Sequence, residues 1–101
     1  MSWHALTVGF ACAATSALAV EVAPEARHER SLAATCASCH LRSAPADALI
    51  APLEGRSEAA IAGALHEFKA GTRQGTVMPQ LAKGYTDEQI DAIARWYARA
   101  R

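Results

Sequence analysis

The chain has 101 residues, enough for one small domain. Lys plus Arg and Asp plus Glu both number 10, so the formal net charge is zero and no basic surplus points to nucleic acid. All of those charges lie beyond position 20.

The uncharged N-terminal block reads as a secretory signal over residues 1–19. Its apolar centre runs from about Ala5 to Leu18, near the upper length of a signal-peptide core. Ala17-Leu18-Ala19 offers a small-x-small site, which places the cut after Ala19. The usual Lys or Arg at the start is missing, and only His4 and the amino terminus stand there. An uncleaved anchor is therefore the rival reading, since the run approaches the ~18–20 residues needed to span a bilayer. Its many alanines make it weakly apolar for that role. Cys12, inside this block, is read as an ordinary apolar residue. The functional domain is then 20–101, exported to the periplasm, or membrane-anchored and facing the periplasm if the block stays attached.

Val20 to Pro24 is a short linker, and Pro24 suits the first position of a helix. Glu25 to about Cys39 reads as that helix, with Leu32 and Cys36 on one side. Ala26, Ala33 and Ala34 keep it slim enough for a close helix crossing. His28 sits among Glu25, Arg27, Glu29 and Arg30 and is expected in solvent.

The end of this helix carries Cys36-Ala37-Ser38-Cys39-His40, the C-x-x-C-H pattern for attaching a c-type haem. Two thiols at this spacing can each form a thioether to one haem vinyl group. The adjoining histidine then lies where it can ligate the iron. Zinc is the alternative, but a zinc site takes four ligands, usually two such pairs. Beyond the N-terminal block the chain has only these two cysteines. Export agrees with haem, because c-type haem is joined to the chain outside the bacterial cytoplasm. A core built on about eighty residues is also marginal on its own, and a covalently held haem would complete it.

Leu41 to Gly55 reads as a loop, marked by Pro45, Pro52 and Gly55. A carbonyl near Pro52 is placed to accept the second imidazole N–H of His40, as ligating histidines usually require. The prolines also serve simply to shape the turn. Ser57 to Ala70 is the second helix, with Ser57 as N-cap and Gly71 as stop. Ile61, Leu65 and Phe68 share one face. His66 projects ~140° from Ile61 at 3.6 residues per turn, so it is expected to face solvent.

Thr72 to Gly84 reads as a second loop, holding Met78 in Thr76-Val77-Met78-Pro79. Pro79 biases the residue before it to extended backbone. Met78 is the one methionine other than Met1, and its thioether is the candidate sixth iron ligand opposite His40. The plainer role is to fill a gap in the core. Val77, Pro79 and Leu81 would form an apolar rim, with Lys69, Arg73 and Lys83 around it. Thr86 to Arg99 is the third helix, opened by the capping box Thr86-Asp87-Glu88-Gln89. Ile90, Ile93, Ala94 and Tyr97 share a face that would meet the alanines of the first helix.

These readings add up to an all-α fold of about three main helices around one covalent haem c. With both axial positions filled, the chain would carry single electrons and have no substrate site of its own.

The order of features resembles a class I cytochrome c: Cys36-Ala37-Ser38-Cys39-His40, the loop at Pro52, Met78, and a last helix with Trp96-Tyr97. Several stretches are similar to the cytochrome subunit of flavocytochrome c sulfide dehydrogenase. They are Pro52-Leu53-Glu54-Gly55-Arg56-Ser57, Ala64 to Gly71, Thr76-Val77-Met78 and Ala82 to Ile90. The resemblance implies haem attached at Cys36 and Cys39, with His40 and Met78 axial. It also implies an FAD-containing flavoprotein partner that oxidises sulfide and passes electrons on. The alternative is a free-standing or membrane-tethered shuttle between other redox proteins.

Overall fold

The computed structural model describes residues 1, 9 and 19–100. The expected signal segment, its cleavage site and Cys12 lie almost wholly outside the described residues. Among those residues there is no strand: the fold is all-α, as the sequence pattern indicates. Its elements are α1 (Pro24–Ala34), a 3₁₀ turn (Cys36–Ser38), α2 (Glu58–Ala70), a short α3 (Met78–Ala82) and α4 (Asp87–Arg99).

Pro24 opens α1, where its missing N–H costs nothing. The helix ends at Ala34, short of the expected Cys39. Thr35 Oγ1 donates to the Leu32 carbonyl (3.0 Å), a local bond that competes with the helical ladder. The Cys36 carbonyl is then shared by the amides of Cys39 (3.2 Å) and His40 (2.9 Å), which tightens the chain into the 3₁₀ turn.

Both ends of α2 follow the sequence. Ser57 Oγ accepts the Ala60 amide at 3.1 Å. Gly71 closes the helix at φ 79°, a left-handed conformation that suits glycine. The loop after it is held close: a Cβ on Gly75 would stand 3.0 Å from the Phe68 ring and 3.1 Å from Pro79. That packing leads directly into α3.

The segment expected to be a loop thus contains a helical turn, with Met78 as its first residue. Pro79 is tolerated because it falls in the first turn, where its amide is not needed. The pre-proline bias toward extended backbone is overridden by packing of α3 on α2. The capping box of α4 is complete, with Gln89 N to Thr86 Oγ1 at 3.1 Å and Thr86 N to Gln89 Oε1 at 2.9 Å.

Helix α4 is the spine of the molecule. It packs on α1 and on α2, while α3 lies against α2. The core gathers Ala33, Ile61, Leu65, Ala82, Ile90, Ile93, Ala94 and Tyr97. Ala33 and Ala94 are fully buried, the condition for a close α1–α4 crossing. Tyr97 Oη donates to the Ala33 carbonyl at 2.7 Å and pins that crossing. Burial, with the charges of Cys36 and Glu54, pushes the Tyr97 phenol up to about 12, so it keeps its proton at neutral pH.

Candidate haem-attachment site

The 3₁₀ turn presents Cys36 and Cys39 as free thiols, Cys36 half-buried against the core and Cys39 exposed. Burial pushes the Cys36 thiol up, and a hydrogen bond with Thr35 pulls it partly back. His40 follows, half-buried, with its backbone fixed by the Cys36 carbonyl.

The imidazole Nδ1 of His40 lies 2.7 Å from the Ala51 carbonyl. A carbonyl only accepts, so Nδ1 carries the proton and Nε2 of the neutral ring is the free acceptor. The expected carbonyl partner is therefore present in the 41–55 loop, one residue before Pro52. Pro52 itself plays another part: its carbonyl accepts from Arg56 Nε at 3.0 Å. Within this loop the carbonyl that meets the ring is that of Ala51, adjacent to Pro52.

Met78 is half-buried and packs against the edge of the core. Around the segments that carry His40 and Met78, large apolar side chains stand exposed: Leu41, Leu49, Ile50, Val77 and Leu81. Two of the three expected rim residues, Val77 and Leu81, are among them. The charges named with them are spent differently. Lys69 Nζ pairs with Asp87 at 2.8 Å, across α2 and α4. Arg73 pairs with Glu67 at 3.2 Å and lies over the Phe68 ring.

His28 is exposed, as expected. His66 is not free in solvent. It is half-buried, with Nε2 3.3 Å from Asp91 and Nδ1 3.6 Å from Asp87. The α4 helix lies alongside α2 and supplies both carboxylates, which periodicity within α2 alone does not reveal. Among the described residues, no three His, Cys, Asp or Glu side chains gather as a metal site.

Other site residues were missed from the sequence. Thr35 bridges α1, Cys36 and Tyr85, whose hydroxyl lies 2.9 Å from Thr35 Oγ1. Glu54 has one carboxylate oxygen buried without a partner, and its charge reaches Tyr97. The polar side chains flanking the motif could have flagged Thr35. Nothing local marks Tyr85 or Glu54.

No family model matches the chain. It is 40% identical over 90 residues to the cytochrome subunit of sulfide dehydrogenase of Chlorobaculum tepidum. That match covers 88% of this chain and 81% of the relative. The chain belongs to this family of cytochrome subunits. Its helices accordingly form a small cytochrome c fold, and a cytochrome is a haem protein.

The residues fit that group. The C-x-x-C-H turn offers two thiols, His40 keeps Nε2 for a metal, and a thioether sits half-buried at the start of α3. The exposed apolar side chains suit a large flat apolar body. Among the described residues no helix is long and apolar enough to cross a membrane.

Proposed function

We propose that this chain is a periplasmic, mono-haem cytochrome c subunit that takes single electrons from an FAD-containing, sulfide-oxidising flavoprotein. The observation that carries the reading is the His40 Nδ1 to Ala51 carbonyl bond at 2.7 Å, beside the two cysteines. It fixes the tautomer and ring orientation that an axial histidine needs. When bound, haem supplies a one-electron carrier whose iron alternates between the ferrous and ferric states. Cys36 and Cys39 would tether it by thioethers, while His40 would offer Nε2 and Met78 its sulfur. The Ala51 carbonyl would keep the imidazole oriented toward the group. With His and Met as ligands the potential is raised and no open position remains for substrate. The oxidation of sulfide itself then belongs to the flavin-bearing partner, named here on the strength of the family.

The first test is a reduced-minus-oxidised absorption spectrum on protein made with export and haem-maturation machinery, followed by acid-acetone extraction. Haem bands that stay with the chain are expected, and bands that extract would overturn attachment at Cys36 and Cys39. Sulfide added anaerobically to the complex purified with its yellow FAD subunit should reduce the haem bands. If they stay oxidised with sulfide, while several unrelated donors reduce them, the free-standing shuttle is the correct reading. N-terminal sequencing of the purified protein decides whether residues 1–19 are removed or kept as a tether.

A further inference from the structure

The hydroxyl pair Thr35–Tyr85 joins two parts of the fold that lie 50 positions apart in the chain. Thr35 is the residue immediately before Cys36, and it ends α1. Tyr85 closes the turn that follows α3, with its amide bonded to the Ala82 carbonyl at 3.2 Å. The Gly84 amide is bonded to the Leu81 carbonyl at 3.0 Å in the same turn. Tyr85 is therefore rigidly continuous with the short helix that starts at Met78. Thr35 Oγ1 also bonds the Leu32 carbonyl at 3.0 Å, so the Tyr85 hydroxyl meets a group already anchored to the last turn of α1. The ring of Tyr85 is half-buried against the core, and the hydroxyl pair itself is exposed.

We infer that Tyr85 is a positioning residue: its bond to Thr35 holds the Met78 helix in register with the cysteine–histidine turn and so keeps the Met78 sulfur within reach of the haem iron. The inference rests on the proposed reading of Met78 as a ligand. Helix α3 is the shortest of the four and lies against α2. A tie from its C-terminal turn to the attachment turn limits how far Met78 can swing away.

The test uses the haem-loaded protein and the rate at which the ferrous form binds carbon monoxide, which requires Met78 to leave the iron. Tyr85→Phe keeps the ring and removes its hydroxyl, and Thr35→Val keeps the shape and removes the partner hydroxyl. Each should speed binding roughly fivefold, the effect of one ordinary hydrogen bond. The double variant should be no faster than either single one, because both remove the same interaction. The far-red sulfur–iron band of the ferric variants should also vanish on warming before the helical signal does. Glu29→Gln, which loosens the α1–α4 crossing away from this tie, should leave the carbon monoxide rate at the parent value.

Parent rates in Tyr85→Phe and Thr35→Val would overturn the inference, as would an equal acceleration in Glu29→Gln. If the parent already binds carbon monoxide as fast as Met78→Ala and lacks the far-red band, the ligand reading fails and takes this inference with it. If the parent is slow and Met78→Ala fast, the ligand reading stands and the tie alone is judged.

Discussion

At the scale of single residues, the site is a division of labour between side chains and backbone. The imidazole of His40, the proposed ligand, is held through Nδ1 by the Ala51 carbonyl. Met78→Ala should leave haem covalently attached, open the sixth position to carbon monoxide and lower the reduction potential. A spectrum, potential and carbon monoxide affinity equal to those of the parent would remove Met78 from the ligand set. Cys36→Ser and Cys39→Ser should each lower the yield of haem-loaded protein. Measured haem-to-protein ratios at the parental level in both would contradict the attachment scheme.

At the scale of elements, helix ends decide where the proposed ligands stand. Gly71 turns the chain out of α2 at φ 79°, and Gly75 lets the following loop pass against Phe68 and Pro79. Together they deliver Met78 to the head of α3. Gly71→Ala places a Cβ on a left-handed backbone, which should cost about 1 kcal/mol. In a domain of this size that is a fall of about 4–8 °C in Tm. Thr86→Ala removes the Oγ1 that accepts the Gln89 amide in the α4 capping box and should cost about 1 kcal/mol. Thermal unfolding followed by circular dichroism measures both, and an unchanged midpoint in either variant would reject the corresponding cap.

At the scale of the whole molecule, α1 and α4 are tied by a buried carboxylate. Glu29 is 6% exposed and receives Arg95 Nε at 2.9 Å and the guanidinium of Arg99. Burial pushes the Glu29 carboxyl up, but the hydrogen bonds from Arg99 and Arg95, with their charges, outweigh it and leave it below its usual value of 4.5. Its contribution to stability is therefore complete above the unfolded-state value and is lost as pH falls through the lower folded-state value. Both arginines are about half exposed, so solvent screens part of the attraction. Glu29→Gln should cost about 1–3 kcal/mol at neutral pH. The gap in Tm between parent and variant should close as pH falls well below about 4.5. A gap that stays constant with pH would mean that packing, and not charge, holds the crossing.

The sequence by itself determined the all-α class, the helices from Ser57 and Thr86 onward, and the cysteine–histidine motif. These are encoded locally: caps, a stop glycine and the C-x-x-C-H spacing act over a few residues, and the family relationship agrees with them. The core face of α4 was legible for the same reason, since Ile90, Ile93, Ala94 and Tyr97 repeat at helical spacing. Only the tertiary structure decided the rest. The end of α1 at Ala34, the helical turn at Met78 and the partners of His66 and Lys69 depend on which helices lie side by side. The choice of Ala51 over Pro52 depends on how the 41–55 loop folds back over the imidazole. Glu29 looked like one more surface charge because its arginines lie 66 and 70 positions away. Tyr85 and Thr35 were silent in the same way. A hydrogen bond between residues far apart in the chain leaves no periodic trace, so only folding brings such pairs into view.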